Sequence, residues 1–515
     1  AYTSDIGNLI SPVAETEADT QILMALSVPI IDGDFDCSLK KSPGIATDWG
    51  WSDDGKILSL TLRNDLKFYD GKPLTAHDIA FTYQIVGDPK VGSPRLQFLQ
   101  HMTPDGRPKV FDDHHLEFHF THAYDRDTQT AHATTLSVLP KHLLQDADRS
   151  TIRGHALAKT PVSHGPFRMA THEPNERIVL VPNENFSGPE EMRPHLNRVI
   201  FRILPEYSTR LLELQSGNVD MFQGINIADA DELRKTHPHI NIVRRGWRFM
   251  DYVAWNASIP LFEDKRVRRG LTMAIDIDGM IAKLLTAKSG ERYAKRAVST
   301  ITPELCGIHN DDVKLLPFDL EQSEALMAEA GWTDTDGDGI LDKDGKKFEF
   351  TLATNTSNKR RADVSILIQA NLEKLGVKAN LEQQESNVFF KNLRERKYEA
   401  ALAGWSTSLF VDPSDEWRSD SDGTHHEFNF TNYANPKADE LIDKGMSIAD
   451  IQQAAPVWKE FQQVVYDDQP YTFLWWMDEL VAIDSRFENV EINVLSALNH
   501  LHRWEVPADK VKYKD

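Results

Sequence analysis

Cysteine and long apolar runs are scarce in this sequence, and basic residues are outnumbered by acidic ones. The 515 residues include two cysteines, Cys37 and Cys306, which are too few for a disulfide scaffold or a cysteine-based metal knuckle. We favour two buried thiols over one disulfide between them. Asp and Glu number 79 against 57 Lys and Arg, giving a formal net charge of −22. This excess argues against nucleic acid and anionic lipid as partners, because both select basic surfaces.

No apolar stretch is long enough to cross a bilayer, and the run QILMALSVPII is only the size of a core element. The sequence starts at Ala1 without Met, so we expect either a longer precursor that has lost an export signal or a trimmed start. Hydrophobic residues make up 40% of the chain, enough for the two to four domains that about 150 residues per domain predicts. The motifs G-x-S-x-G, GK[ST], CxxC and H-E-x-x-H are all absent, so we predict a protein that is not an enzyme.

The first half of the chain is rich in predicted strands. The segments ILSLTLRNDLKF and HLEFHF alternate apolar and polar residues, which is typical of strands with one buried face. A helix follows Thr75, and Asp78 stands three residues later, as in a capping box. A second helix, EYSTRLLELQS, ends at Gly217 before a short strand.

The second half changes character at about Asp264 and predicts a β-α-β-α-β unit. Its strands are the Phe348 segment, VKANLEQ and YEAALAGW, and its helices are residues 362–375 and NVFFKNLRER. Strands separated by helices of this length pair in parallel with right-handed crossovers. Ligands of such sheets bind at the carboxyl ends of the strands, and Gly404-Trp405 is one such end.

One acidic loop, DTDGDGILDKDG, has the spacing of a calcium loop. Its candidate ligands are Asp334, Asp336, Asp338, the carbonyl of Ile340, and Asp342. The twelfth position is Gly345, where calcium loops need a bidentate Glu. We favour an acidic hairpin with Asp-Gly turns, and a weak structural calcium site is the alternative. No cofactor is required in either case.

Six segments in order resemble the family 5 extracellular solute-binding proteins, the peptide, nickel and opine receptors of ABC importers. The first is ATDWGWSDDGKILSLTLRNDLKFYDGKPLTAHDIAFTY, and the second is PVSHGPFRMATHEPNERIVLVPNENFSG. STRLLELQSGNVDMF, FEDKRVRRGLTMAID, LMAEAGWTDTDGDGILDKDGKKFEF and GWSTSLFVDPSDEW follow. The resemblance covers about Asp48 to Trp476.

The resemblance implies an α/β, two-lobe fold of the periplasmic-binding-protein type (type II, with an extra subdomain) that closes by hinge motion. Lobe I would comprise residues 1–45, 164–260 and 479–515, with a strand-rich subdomain, 46–163, inserted in it. Lobe II would comprise residues 261–478.

The function that this resemblance implies is an extracytoplasmic receptor of an ABC importer. It would be a periplasmic or extracellular monomer, free or anchored through an N-terminal lipid. It would capture a peptide or peptide-like solute in the cleft between its lobes and deliver it to the membrane permease. A receptor for a neutral solute such as an oligosaccharide is the alternative, and a calcium-binding extracellular module is a lesser one.

The predicted ligand-binding residues are Trp405, Ser406, Ser408, Asp412, Asn355, Asn256, His425, Asn429 and Trp475. Trp405 would supply an aromatic wall. In peptide-binding relatives an Asp that pairs with the peptide amino terminus stands where this chain has Ser408, and the dipeptide receptors place an Arg near Asn355. With Arg360 and Arg361 assigned to a helix start, both end-charge partners are predicted to be missing. Asp412 is the candidate substitute for the acid, which leaves peptides and neutral solutes both open.

Overall fold

The structure is a computed structural model. It describes residues 1–2, 5–35, 39–99, 101–104, 107–305, 307–356, 358–407, 409–420, 426 and 428–512. Cys37 and Cys306 therefore lie outside the described residues. The prediction that they are two buried thiols stays a prediction.

The chain divides into two compact units. The first comprises Ala1–Arg245 and Glu479–Asp515, and the second comprises Gly246–Asp478. The predicted lobe II, 261–478, ends at the same residue as the second unit, but the second unit begins earlier, at Gly246. The predicted inserted subdomain, 46–163, lies within the first unit.

The elements alternate along the whole chain. The helices are α1 Glu17–Leu26, α2 Ala76–Gly87, α3 Arg126–Thr134, α4 Lys141–Leu144, α5 Tyr207–Gln215, α6 Ile227–Thr236, α7 Pro260–Glu263, α8 Lys265–Met273, α9 Ile277–Leu284, α10 Leu320–Glu329, α11 Lys359–Glu373, α12 Ser386–Arg394, α13 Ser414–Trp417, α14 Pro436–Met446 and α15 Ile451–Asp468. The strands are β1 Ile31–Phe35, β2 Leu39–Pro43, β3 Ala46–Trp51, β4 Ile57–Leu62, β5 Lys109–Asp112, β6 His115–His119, β7 Phe167–Glu173, β8 Arg177–Pro182, β9 Val199–Arg202, β10 Met221–Gln223, β11 Ile240–Trp255, β12 Ala294–Arg296, β13 Asp342–Lys343, β14 Lys346–Lys347, β15 Glu349–Asn355, β16 Lys378–Gln384, β17 Ala400–Ser406 and β18 Tyr471–Asp484. Among the described residues, no helix is both long and apolar enough to span a membrane.

The first unit is built from small antiparallel sheets. Strands pair in the orders β3-β4-β6-β5 and β7-β8-β9, and β1 pairs with β2. The capping box predicted at the start of α2 is present, since the Asp78 carboxylate accepts from the Thr75 backbone N–H at 2.9 Å. One core includes Ile6 and Leu9 from the N-terminus together with Leu501 and Trp504 from the C-terminus. Burial of both ends in one core explains why residues after Glu479 belong to the first unit.

The second unit is organised around a mixed sheet in which β18, β11, β17, β15 and β16 are successive neighbours. β15 pairs in parallel with β16 and with β17, as the β-α-β-α-β pattern predicts. β11 pairs antiparallel with β17, and β12 pairs antiparallel with β18. The parallel strands end at Asn355 and Ser406, which brings polar groups to that edge of the sheet. The chain passes between the units within β11 and within β18.

Candidate functional site

A buried carboxylate holds two guanidinium groups at the carboxyl ends of β15 and β17. Asp251 on β11 is 1% exposed. Arg360 donates from Nε to its Oδ2 at 3.0 Å, and Arg361 donates from Nε to its Oδ1 at 2.9 Å. We call Asp251, Arg360 and Arg361 the arginine cluster. With two cations and one anion, it carries one excess positive charge.

Helix α11 supplies both arginines because of the way it begins. The Asn358 side chain caps the helix by accepting from the Arg361 backbone N–H at 3.1 Å, which fixes both arginines in the first turn. Cations are unfavourable at a helix N-terminus. The negative charge of Asp251 offsets the charges of the two arginines there. Burial raises the pKa of the Asp251 carboxyl, but Arg360 and Arg361 outweigh burial and hold this pKa below its usual range.

The residues around the cluster fix its position. Trp475 is buried and donates from Nε1 to Asp251 Oδ2 at 3.2 Å. Asn355 is also buried, and its Oδ1 accepts from Arg361 Nη1 at 3.3 Å. Gly404 lies opposite Asp251 in the β11–β17 pair, and a Cβ there would collide with the Arg361 guanidinium and with the backbone oxygen of Met250. The absence of a side chain at Gly404 therefore makes room for Arg361.

An aromatic stack lies beside the end of β17. The Trp405 ring is partly exposed and stacks on Phe430, with ring centroids 5.2 Å apart, and on Tyr252 at 6.2 Å. Phe428 meets it edge-on at 5.6 Å. Ser406, the last residue of the strand, is exposed. The two predicted residues Trp405 and Ser406 thus lie side by side at the end of β17, a partly exposed ring next to an exposed hydroxyl.

A small cavity follows the same strand end. It has a volume of about 60 Å³ and is lined by Thr300, Ile301, Leu305, Thr407, Phe410, Val411, Asp412, Pro413 and Glu416, and we call it the acidic cavity. Burial raises the pKa of Glu416 to about 7, and the negative charges of Asp412 and Asp415 add to this effect. A hydrogen bond with the Thr300 side chain opposes it.

Two of the predicted ligand residues have structural roles. Asn256 is 1% exposed, and its amide donates to the backbone oxygens of Arg396 at 3.0 Å and Tyr398 at 2.7 Å. Asn429 is equally buried and exchanges hydrogen bonds with the backbone of Tyr433. Both amides are thus engaged with backbone groups of the same unit.

Trp475 is buried against Asp251, so it supports the arginine cluster and has no surface to offer as a wall. Ser408 and His425 lie outside the described residues.

The acidic loop contains a cation from the chain itself. Carboxylate oxygens of Asp334, Asp336 and Asp338 lie within 4.8 Å of one another. The Lys347 ammonium contacts Asp336 at 2.6 Å and Asp338 at 2.9 Å. Asp342 instead accepts from the Thr335 backbone N–H at 2.9 Å and hydroxyl at 2.6 Å, and Ile340 donates its N–H to Asp338.

Asp251 and Glu416 are not among the residues that the sequence predicts for the site. Asp251 is a single charge within the apolar strand segment FMDYVAW, a pattern that could have indicated a buried ion pair. Arg360 and Arg361 were recognised only as a helix start. Glu416 belongs to an acidic segment, DPSDEW, that reads like an ordinary exposed turn.

Comparison with known proteins identifies a family. The family model described as bacterial extracellular solute-binding proteins, family 5 Middle, matches residues 40–425. The oligopeptide-binding protein AppA of Bacillus subtilis (strain 168) is 28% identical over 460 residues, which cover 88% of this chain and 81% of the relative. Heme-binding protein A of Haemophilus influenzae is 25% identical over 452 residues, covering 83% and 78%.

A solved structure resembles the whole chain. The structure of AppA from Bacillus subtilis in complex with a nonapeptide superposes with a TM-score of 0.79 at 26% sequence identity. It covers 98% of this chain and 97% of the other. These matches confirm the predicted family and the predicted class of mixed α/β, two-lobe fold.

Proposed function

This chain belongs to the bacterial extracellular solute-binding proteins of family 5, and from that membership we propose that it is the receptor of an ABC importer for peptides or peptide-like solutes. It captures the solute outside the cytoplasm and delivers it to a membrane permease. The family consists of binding proteins, which agrees with the prediction that the chain is not an enzyme.

One observation about the second unit supports a peptide as the solute. This unit presents both signs of charge near the ends of its parallel strands. The arginine cluster has one excess positive charge, and the acidic cavity contains the carboxyls of Asp412 and Glu416. A zwitterionic solute needs partners of both signs, because charge-assisted hydrogen bonds are the strongest it can form. A neutral oligosaccharide would offer no opposite charge to the excess positive charge of the cluster or to the carboxyls of the cavity, so that alternative is not favoured.

The relatives agree with this choice of solute. AppA of Bacillus subtilis is named for oligopeptides, and its solved structure contains a nonapeptide. The partly exposed Trp405 ring adds an aromatic surface on which a peptide backbone or side chain can pack.

We expect peptides to bind and to stabilise the protein. A ligand that binds only the folded state at roughly 100 times its Kd adds about 2.7 kcal/mol of stability, which raises Tm by several degrees. The measurement is a thermal-shift screen with peptides of two to nine residues, followed by calorimetry. Trp405→Ala should bind the same peptides more weakly, and Trp405→Phe should bind them nearly as well as the wild type.

A set of neutral oligosaccharides and a mixture of free amino acids serve as controls for this screen. Tight binding of an oligosaccharide, with no peptide raising Tm, would exclude the peptide receptor.

For the acidic loop we propose a hairpin neutralised by Lys347 rather than by calcium. Asp336 and Asp338 already have a cationic partner, and the carboxylates hold the pKa of Lys347 above its usual value. The wild type should therefore melt at the same temperature in calcium and in chelator. Lys347→Met should become stabilised by calcium, because it leaves the carboxylates of Asp336 and Asp338 without a cation. A wild-type Tm that falls in chelator, and does not fall in Asp336→Ala, would instead establish the structural calcium site.

A further inference from the structure

We propose that a groove beside strand β7 binds the carboxyl-terminal end of an extended peptide. The peptide lies along the free edge of β7 as an added strand, and its terminal carboxylate pairs with the Lys159 ammonium. The residues that line this groove all belong to the first unit. The inference therefore goes beyond the proposed function, whose residues lie in the second unit, and does not depend on it.

The groove is large enough for a short peptide and runs along the strand. It has a volume of about 630 Å³, and ligand sites typically occupy roughly 300–1,000 Å³. Its lining includes residues 169–172 of β7 as well as Asp5, Ile6 and residues 159–161. Successive side chains of a strand point to opposite faces of its sheet. A cavity lined by consecutive strand residues therefore follows the edge of the strand, where the backbone is accessible.

The free edge of β7 has backbone groups without a partner. β7 is the end strand of the sheet β7-β8-β9, so only one of its edges is paired. The β7–β8 register shifts between Met169 and Thr171, which leaves Ala170 as a bulge outside the ladder. Among the described residues, no hydrogen bond joins the backbone of residues 169–172 to anything other than β8. Such an edge can add an extended peptide through main-chain hydrogen bonds.

Lys159 gives the groove a positive charge that no carboxylate of the described chain neutralises. Its ammonium donates to the backbone oxygen of Ile6 and forms no ion pair within the described residues. The acid of the lining, Asp5, is already occupied: it accepts from the backbone N–H groups of Ile6 at 2.8 Å and Asn175 at 3.0 Å. His172 Nε2 donates to the same carboxylate at 2.9 Å. The charge that complements the groove is therefore negative.

A buried imidazole in the lining has one nitrogen left for a ligand. The His172 side chain is 6% exposed, and Asp5 holds its Nε2. Its Nδ1 has no hydrogen-bond partner among the described residues. With the proton on Nε2, Nδ1 is an acceptor for a peptide N–H.

Edge and charge together specify the kind of ligand. A small inorganic anion would pair with Lys159 and leave the strand edge unpaired, and a peptide that ends in an amide would do the reverse. An extended peptide with a free carboxyl terminus is the ligand that satisfies both.

The first test observes the groove directly by NMR. Full-length protein with ¹³C-labelled alanine methyl groups is titrated with tetra-alanine or with its carboxyl-terminal amide. The Ala170 resonance, assigned by its loss in Ala170→Gly, should move with the acid at a concentration at least about tenfold lower than with the amide, because the amide lacks the charge-assisted bond to Lys159. Equal midpoints for the acid and the amide, or no movement with either, would overturn the proposal.

Two substitutions of Lys159 test the cation. Lys159→Met should abolish the preference for the acid, and Lys159→Gln repeats the measurement with a polar side chain should the first variant fold poorly. Lys235→Met is the matched control, since it makes the same change at an exposed position on α6 of the same unit, and it should keep the preference. A preference for the acid that persists without the lysine charge would reject this role of Lys159.

N-methylated peptides test the strand pairing. Every second amide of an added strand bonds the neighbouring strand, so N-methylation at successive residues of tetra-alanine should alternate in its effect. Methylation of a bonded amide should remove the Ala170 shift, and methylation of the next should change its midpoint by less than about twofold. The same effect at every position would exclude an added strand.

Trp405→Ala separates this groove from the site of the proposed function. The Ala170 titration should be the same in Trp405→Ala as in the wild type. An Ala170 shift that disappears in Trp405→Ala would assign the peptide to the second unit and overturn the groove. Peptide binding that depends on Trp405 and leaves Ala170 unmoved would reject the groove alone. An Ala170 shift in a protein whose peptide binding never depends on Trp405 would support the groove and count against the proposed function.

Discussion

Asp251→Asn will destabilise the protein by about 3–5 kcal/mol, because it removes one partner of a buried ion pair and leaves charges uncompensated. The carboxylate is 1% exposed and accepts from both Arg360 and Arg361. The amide that replaces it can still accept one hydrogen bond, but it carries no charge to offset two guanidinium groups. The loss is measured by urea unfolding followed through tryptophan fluorescence.

A surface pair provides the control for this substitution. Asp363 pairs with Lys359 at 2.9 Å on the exposed side of α11, four residues apart. Asp363→Asn should cost no more than about 0.5 kcal/mol, as exposed pairs on one helix do. Adding Arg361→Met to Asp251→Asn should recover part of the loss, since it removes one uncompensated cation. If the Asp251 and Asp363 substitutions cost the same, the cluster contributes nothing to stability.

The contribution of Asp251 also depends on pH in a definite direction. Its folded-state pKa lies below the usual value of 3.8 because of Arg360 and Arg361, which outweigh burial. The stabilisation is therefore complete above pH 3.8 and is lost as pH falls through the lower folded-state value. The difference in free energy of unfolding between the wild type and Asp251→Asn should narrow only in that acidic range.

The local pattern of the sequence was enough to predict the central elements of the second unit. The apolar alternation around Phe348 and Phe350 and the glycine that stops the next helix are signals within a few residues. The strand and helix bounds, β15 Glu349–Asn355 and α11 Lys359–Glu373, agree with these signals. Parallel pairing follows from the helical connections alone.

The chemistry of the site was harder to predict because it depends on distant pairings. Asp251 meets Arg360 across 109 residues of sequence, and nothing near Asp251 identifies its partners. Asn256 and Asn429 are polar residues next to strands or loops, a position typical of ligand contacts. Their amides instead bind backbone oxygens that only the folded chain brings close. Sequence pattern distinguishes buried from exposed positions better than it distinguishes structural from ligand-binding amides.

A second buried ion pair lies where the chain passes between the units. Arg245 on β11 is the last residue of the first segment of the first unit, and Glu479 on β18 is the residue at which this unit resumes. Arg245 Nη1 donates to Glu479 at 2.8 Å and to Glu17 on α1 at 3.1 Å. The ion pair therefore links β11 and β18 at the position where the chain passes from one unit to the other.

Arg245→Met should cost about 3–5 kcal/mol at neutral pH, because it leaves a mostly buried carboxylate beside another negative charge. Exposed Arg193, which pairs with Glu190 at 2.6 Å, offers the control: Arg193→Met should cost less than about 1 kcal/mol. Adding Glu479→Gln to Arg245→Met should restore most of the lost stability, as urea unfolding of the four members of this cycle would measure. A double variant no more stable than Arg245→Met would show that the arginine acts through packing alone.

The stability of Arg245→Met as a function of pH is a second test of whether Arg245 acts through its charge or through its packing. Burial already raises the pKa of Glu479 in the wild type, although Arg245 opposes it, and removing Arg245 raises this pKa further. A carboxyl with a raised folded-state pKa destabilises the native state once pH exceeds its unfolded value of 4.5, and increasingly up to the folded value. Arg245→Met should thus regain stability as pH falls towards 4.5, while Arg245→Met with Glu479→Gln should not. If the stability lost in Arg245→Met stays constant over this pH range, Glu479 is not the group that Arg245 neutralises.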